Sequence, residues 1–323
     1  MVECMFVVLL GSGEGDTFLG CRANRRSPAG KIPRAEPARG VRMLPGVCRL
    51  FGMSAGPRPA SATFWLLDAR DSLAVQSRRE PDGTGLGWYD EDGTPRVDKQ
   101  PIAAYEDADF AREARERRSR TFIAHIRFAS TGGLEPRNTH PFELDGRLFA
   151  HNGVVEGLDA LDAHLGPYRH RVQGETDAAG GDAGEGIARA ARWIAAELPL
   201  FALNVLLIDA DELWALRYPE THELHVLERG AGGPHGGRHL EHASAAGSVR
   251  VRSADLGRAP AVVVASEPMD EDPGWRAIPS GHLVHVAADL TVTSASVLGA
   301  PPARPLTLAD LGATAAASQR PSG

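Results

Sequence analysis

From Cys48 to Ala55 apolar residues run almost without interruption until a Gly-Pro-Arg-Pro turn ends them, the pattern of a short buried strand. Ser61 can cap a helix running to about Gln76, with Phe64, Leu67 and Leu73 towards the core. Asp82-Gly83-Thr84-Gly85-Leu86-Gly87-Trp88-Tyr89 predicts a glycine-rich strand to which another backbone comes close. Its glycines lack the spacing of a dinucleotide fingerprint and open no helix, so it is no nucleotide loop. Asp92-Gly93 signals a hairpin before a second strand from Arg96. Asp107 to Ser119 is a charged surface helix, and Thr121 to Phe128 is a strand whose β-branched and aromatic residues suit a buried sheet.

Further along, Glu143 to Ala150 forms a hairpin through Asp145-Gly146 that ends in His151-Asn152-Gly153. A short helix spans Val155 to Leu165, and Asp177 can cap a long one from about Ala178 to Leu198, its start loosened by Gly180, Gly181 and Gly184. Strands then dominate: Ala202 to Asp209, Leu213 to Tyr218, Glu223 to Glu228, Ala261 to Ser266, Trp275 to Ile278 and Leu283 to Ala287. Strands, helices and strands again give an α+β layered domain, not a parallel doubly wound one.

Three segments fall outside this pattern. Residues 1–47 have no sustained periodicity and are rich in Arg, Pro and Gly from Gly20 to Gly46, which predicts a disordered leader. Order switches on abruptly at Val47, so a mis-called start, with Val47 as the initiating codon, is preferred over a propeptide cut before Cys48 or a plain tail. Residues 230–250 are Gly/His/Ala-rich and predict a flexible insertion, and 300–323 predict a disordered Pro/Ala tail. The domain is therefore expected over 48–299.

The 323 residues are 42% hydrophobic and 24% charged, ordinary for a globular protein. A net charge of −7 offers no basic surface for nucleic acid. There is no apolar run long enough for a membrane span, and Met5 to Leu10 is too short and wrongly flanked for a secretory signal, so a cytoplasmic protein is expected. The three cysteines, Cys4, Cys21 and Cys48, build no disulfide framework, and one of them lies in the predicted domain.

Cys48 is either a small core hydrophobe or a nucleophile. Were it the first residue, it would offer both a thiol and an α-amine, whose reference pKa of about 7.7–8.0 suits a general base. Arg127, on an apolar strand, either meets a structural carboxylate or holds a substrate carboxylate in its planar fork. Asn152-Gly153 could supply a side-chain amide and a backbone N–H to an oxyanion, or be a simple turn. Asp177 is a helix cap or a holder of a substrate ammonium. His125, His140 and His151 have no metal-motif spacing, so a metal site could arise only by folding.

Taken in order, Cys48-Arg49-Leu50-Phe51-Gly52, His125-Ile126-Arg127-Phe128-Ala129-Ser130, Asn138-Thr139-His140-Pro141-Phe142, His151-Asn152-Gly153 and Gly174-Glu175-Thr176-Asp177 carry a resemblance. They resemble the glutaminase domain of the class II glutamine amidotransferases, a family of N-terminal-nucleophile hydrolases. The Cys-Arg-Leu-Phe-Gly opening and the strand-rich second half are most similar to the stand-alone subgroup with the ergothioneine-pathway γ-glutamyl amidohydrolases. The resemblance covers about residues 48–290 and implies a four-layer αββα sandwich with two antiparallel sheets. It implies Cys48 as nucleophile with its own α-amine as base, Asn152 and Gly153 as the oxyanion hole, Arg127 and Asp177 on the substrate α-carboxylate and α-ammonium, and His140 and His151 beside the substrate. No metal or cofactor is implied. With 47 residues attached the Cys48 nitrogen is an amide, so this mechanism needs a chain that begins at Cys48.

After about residue 200 there is no phosphate loop or second catalytic cluster, so hydrolysis of glutamine or another γ-glutamyl amide is the expected activity. Ammonia delivery to a separate synthase subunit, a non-catalytic γ-glutamyl-binding protein and a metallohydrolase are the alternatives.

Overall fold

The computed structural model describes residues 5–9, 18–22, 48–128, 134–165, 182–232, 241–243, 250–252, 259–317 and 319. Along the chain lie β1 (Met5–Leu9), β2 (Phe18–Arg22), β3 (Arg49–Ser54), α1 (Leu73–Gln76), β4 (Gly83–Tyr89), β5 (Pro95–Gln100), α2 (Ala108–Glu116) and β6 (Thr121–Arg127). Next come β7 (Phe142–Leu144), β8 (Arg147–Val155), α3 (Leu158–Leu165), α4 (Ala183–Glu197), β9 (Pro199–Ile208), β10 (Leu213–Arg217) and β11 (His225–Arg229). The remainder is β12 (Glu241–Ala243), β13 (Arg250–Arg252), β14 (Ala261–Ala265), β15 (Arg276–Ala277), β16 (His282–Val286), β17 (Val292–Ser296), β18 (Arg304–Pro305) and α5 (Ala313–Ala317).

Two seven-stranded sheets carry the site. One runs β15-β11-β14-β3-β6-β4-β5 and is antiparallel throughout. The other runs β17-β16-β10-β9-β8-β7 with β18 added in parallel to β9, its one parallel pair. Side chains alternate across each strand. Leu50, Ile123, Leu148, Ala150, Leu206 and Val264 therefore meet between the sheets. Phe51, Met53, Phe122 and Trp88 face outward under the Phe64–Asp68 turn and α2. Phe149, Leu203, Val205 and Trp214 face outward under α3 and α4. Helices, sheet, sheet, helices is the four-layer αββα sandwich.

Several boundaries differ from expectation for visible reasons. The helix expected over 61–76 is two pieces: a π turn at Phe64–Asp68, closed by Ala69 N–H donating to the Phe64 carbonyl, and α1, newly capped by Ser72. β8 does not end at His151-Asn152-Gly153 but carries on to Val155 against β9, and the helix expected from Val155 begins at Leu158. The long helix begins at Ala183 with Asp182 as its cap, its side chain accepting from Gly184 and Glu185 N–H. Asp177, the expected cap, lies outside the described residues. Within the expected leader, β1 and β2 pair as an antiparallel ladder. Within and just beyond the expected insertion, β12 pairs with β13.

The expected tail also carries structure. β18 joins β9, and Leu311, Ala315 and Ala316 bury themselves on Val154, Phe201 and Ala202.

Arg49 leaves β3 on the helix side, where its Nε donates to Glu267 Oε1 at 3.1 Å and its Nη2 lies 3.7 Å from Glu80 Oε1. Arg79 Nη2 adds a second donor to Glu267 at 2.8 Å. Burial pushes the Glu80 carboxyl up from 4.5 to about 7, outweighing the pull of Arg49 and Arg79. Glu80 therefore binds its proton more tightly folded than unfolded, and its contribution to stability is full below about pH 4.5 and lost as pH rises through 7. Glu80→Gln is expected to raise the unfolding free energy at pH 8 by about 3 kcal/mol, with most of that gain gone by pH 5. Urea denaturation at the two pH values checks it; an equal gain at both would remove the titration as its cause.

Candidate active site

Period-2 alternation sends Cys48, just before β3, to the same side as Leu50 and Gly52, between the sheets. On β6 it sends His125 and Arg127 to the side of Ile123. On β8 it sends Asn152 to the side of Leu148 and Ala150. Three strands from two sheets thus deliver a thiol, a guanidinium and a carboxamide to one place. Cys48, His125, Arg127, His140, His151, Asn152, Gly153 and Gln319 line a cavity of about 10 Å³ there.

The thiol of Cys48 is buried and free of any disulfide. Phe128 N–H donates to Sγ at 3.3 Å, and Sγ lies 3.6 Å from the Phe128 carbonyl oxygen, so the end of β6 holds the sulfur from both backbone groups. Asn152 Nδ2 donates to the Cys48 carbonyl oxygen at 2.7 Å, bridging the two sheets. An Asn amide has two N–H donors, so one remains for another acceptor. Gly153 has φ of 143°, and a Cβ there would lie 2.0 Å from the Ala202 carbonyl oxygen; only glycine fits beside β9.

His140 comes to the cavity from the connection before β7. That connection packs directly on β4: a Cβ on Gly85 would lie 1.9 Å from the His140 carbonyl oxygen. This is the close backbone approach that the glycine-rich strand predicted. Lys99 Nζ holds the same connection by donating to the Pro141 carbonyl at 3.2 Å, and burial pushes that ammonium down to about 8. The His140 ring sits 4.5 Å from that of His125 and 4.7 Å from that of His151. Burial first, and the neighbouring imidazoles second, hold His125 and His140 well below the ordinary histidine value, so both are neutral at pH 7. Neither ring has a hydrogen-bond partner among the described residues. Among the described residues no group of three or more His, Cys, Asp and Glu side chains could hold a metal ion.

Of the expected site residues, Cys48, Asn152, Gly153, Arg127, His151 and His140 come together at this cavity. Asp177 lies outside the described residues. Gln319 was missed, as was His222, whose Nε2 lies 2.7 Å from Gln319 Oε1. Gln319 stands in a stretch with no periodicity, so nothing local marked it. Among the described residues no helix is long and apolar enough to cross a membrane.

Residues 47–180 match the class-II glutamine amidotransferases. A gamma-glutamyl-hercynylcysteine sulfoxide hydrolase of Mycolicibacterium smegmatis is 31% identical over 276 residues, covering 74% of this chain and 96% of the relative. The protein of the same name from Mycobacterium tuberculosis H37Rv is 31% identical over 254 residues, covering 74% and 93%. Among solved structures, the glutamine phosphoribosylpyrophosphate amidotransferase of B. subtilis aligns with a TM-score of 0.51 at 16% identity, over 79% of this chain and 50% of that one, a likeness of fold. The chain belongs to the class-II glutamine amidotransferases and is an amidohydrolase of that family. It matches the two named hydrolases over nearly their whole length.

Proposed function

We propose that the protein hydrolyses a γ-glutamyl amide, with Cys48 as the N-terminal nucleophile of the mature chain. Cys48 Sγ attacks the γ-carbonyl carbon while the Cys48 α-amine takes the thiol proton. The carbonyl oxygen becomes an oxyanion, accepted by the remaining Asn152 Nδ2–H and the Gly153 backbone N–H. The C–N bond then breaks as the α-ammonium returns the proton to the leaving amine, and the γ-glutamyl group remains as a thioester on Cys48. A water, deprotonated by the same amine, adds to the thioester and releases glutamate and the thiol. Arg127 pairs with the substrate α-carboxylate through its fork, and Asp177 with the α-ammonium. The rings of His140 and His151 wall the chain between those two ends; His140 is neutral there, where a charged imidazolium would compete for the carboxylate.

The single observation that carries this reading is the 2.7 Å bond from Asn152 Nδ2 to the Cys48 carbonyl, which fixes an oxyanion donor against the nucleophile's own residue. The relatives named above act, by their names, on a γ-glutamyl compound whose leaving group is far larger than ammonia. The same substrate class is proposed here, with glutamine as the smallest member.

The test is the intact mass of protein expressed from its native gene together with glutamate release from glutamine and larger γ-glutamyl amides. A mass beginning at Cys48 with glutamate released is the expected result. Full activity in protein whose mass begins at Met1 would overturn the mechanism, because an amide nitrogen accepts no proton near neutral pH.

A further inference from the structure

Seven of the eight residues that line the Cys48 cavity are fixed in place by the fold's main body. Cys48, His125, Arg127, His151, Asn152 and Gly153 sit on or beside β3, β6 and β8, interior strands paired on both sides. His140 is pinned by its backbone packing on Gly85 and by Lys99. The eighth, Gln319, arrives on the C-terminal segment. That segment is fastened at its base, where Ala303 N–H donates to the Ala195 carbonyl and Leu306 N–H to the Leu200 carbonyl around β18. Beyond the base, Leu306, Leu308, Leu311, Ala315 and Ala316 rest on Val154, Phe201 and Ala202, beside Gly153, in a satellite cluster apart from the main cores. Its far end is held by the 2.7 Å contact between Gln319 Oε1 and His222 Nε2. Burial holds His222 below the ordinary histidine value, so the ring is neutral and donates from Nε2. The Phe201 ring backs it at 5.5 Å.

A cavity of about 10 Å³ holds roughly one water, whereas sites that take small molecules measure hundreds of Å³. A wall has to retreat before a substrate can enter. Of the described lining residues outside the ladders, Cys48 is tied to Phe128 and Asn152 and His140 is pinned on Gly85, which leaves Gln319 on the C-terminal segment. We propose that residues 306–317 and 319 form a strap over the active site, with the Gln319–His222 hydrogen bond as its catch, and that the strap swings out to admit a γ-glutamyl amide. The substrate in this inference rests on the function proposed above; the strap itself does not.

The test uses protein expressed from its native gene in the form whose mass begins at Cys48, and reads opening without turnover. Iodoacetamide alkylation of Cys48 is followed by mass spectrometry of the Cys48 peptide, in the wild type, Gln319→Ala, His222→Phe and the double variant. His222→Phe keeps a ring against Phe201 while removing the donor. Each single variant is expected to alkylate Cys48 about two- to tenfold faster at unchanged melting temperature, the range expected for loss of one hydrogen bond. The double variant is expected to match either single one, since both remove the same bond. Wild-type alkylation rates in both single variants, or rates that multiply in the double, would overturn the strap. Glutamate release is assayed in parallel: faster alkylation with no glutamate released by any form keeps the strap and discards the hydrolase reading. Unchanged alkylation with normal glutamate release does the reverse.

Discussion

Cys48→Ala is expected to lower glutamate release from γ-glutamyl substrates by at least about 10⁴-fold, because no other thiol lines the cavity among the described residues and covalent catalysis ends with it. The variant is expected to remain folded. It loses the two polar contacts of Sγ with Phe128, but Leu50 and Phe51 still anchor β3 from both faces. Substrate binding should survive, since Arg127 and the histidines are untouched. Calorimetry on Cys48→Ala would therefore show a γ-glutamyl amide bound without turnover. Residual activity within tenfold of the wild type would mean that the chemistry lies elsewhere.

The second large effect is expected at Asn152. An oxyanion exists only beyond the ground state, so its donor acts on kcat and leaves KM almost unmoved. Asn152→Ala is expected to reduce kcat by about 10²–10³-fold. The same substitution frees the Cys48 carbonyl from its 2.7 Å partner, at a cost in stability of about 1 kcal/mol. Asn152→Asp separates the two roles: it keeps the shape but turns an acceptor towards both the carbonyl and the nascent oxyanion, and should fall at least as far. Steady-state kinetics on both variants decides. A rise in KM at constant kcat would make Asn152 a binding group instead.

Much of this site follows from strand patterning. Once β3, β6 and β8 are read as strands, period-2 alternation places positions 48, 127 and 152 on the sides that face the inter-sheet core. The glycine-rich run announced a close approach of backbone, and Gly85 against His140 is that approach. Weak local signals explain the misses. Nothing in Ala69-Arg70-Asp71 breaks a helix, so the π turn and α1 merge in the sequence. β17 is an edge strand with mostly exposed residues, so it lacks the apolar alternation that would mark it. Gln319 meets His222 across 97 residues of chain, a contact set by tertiary packing alone.

The Asn152–Cys48 bond joins the proposed nucleophile on one sheet to an amide on the other, and those sheets are kept apart by Leu50, Ile123, Leu148, Ala150 and Leu206. The reach between thiol and amide is thus gauged by the thickness of an apolar layer that meets no substrate. Protein interiors pack too tightly for such a layer to change by a methylene unnoticed. Under the proposed mechanism the breadth of this core is a kinetic dimension as well as a source of stability, and side chains there are constrained by turnover even though they touch no reacting atom.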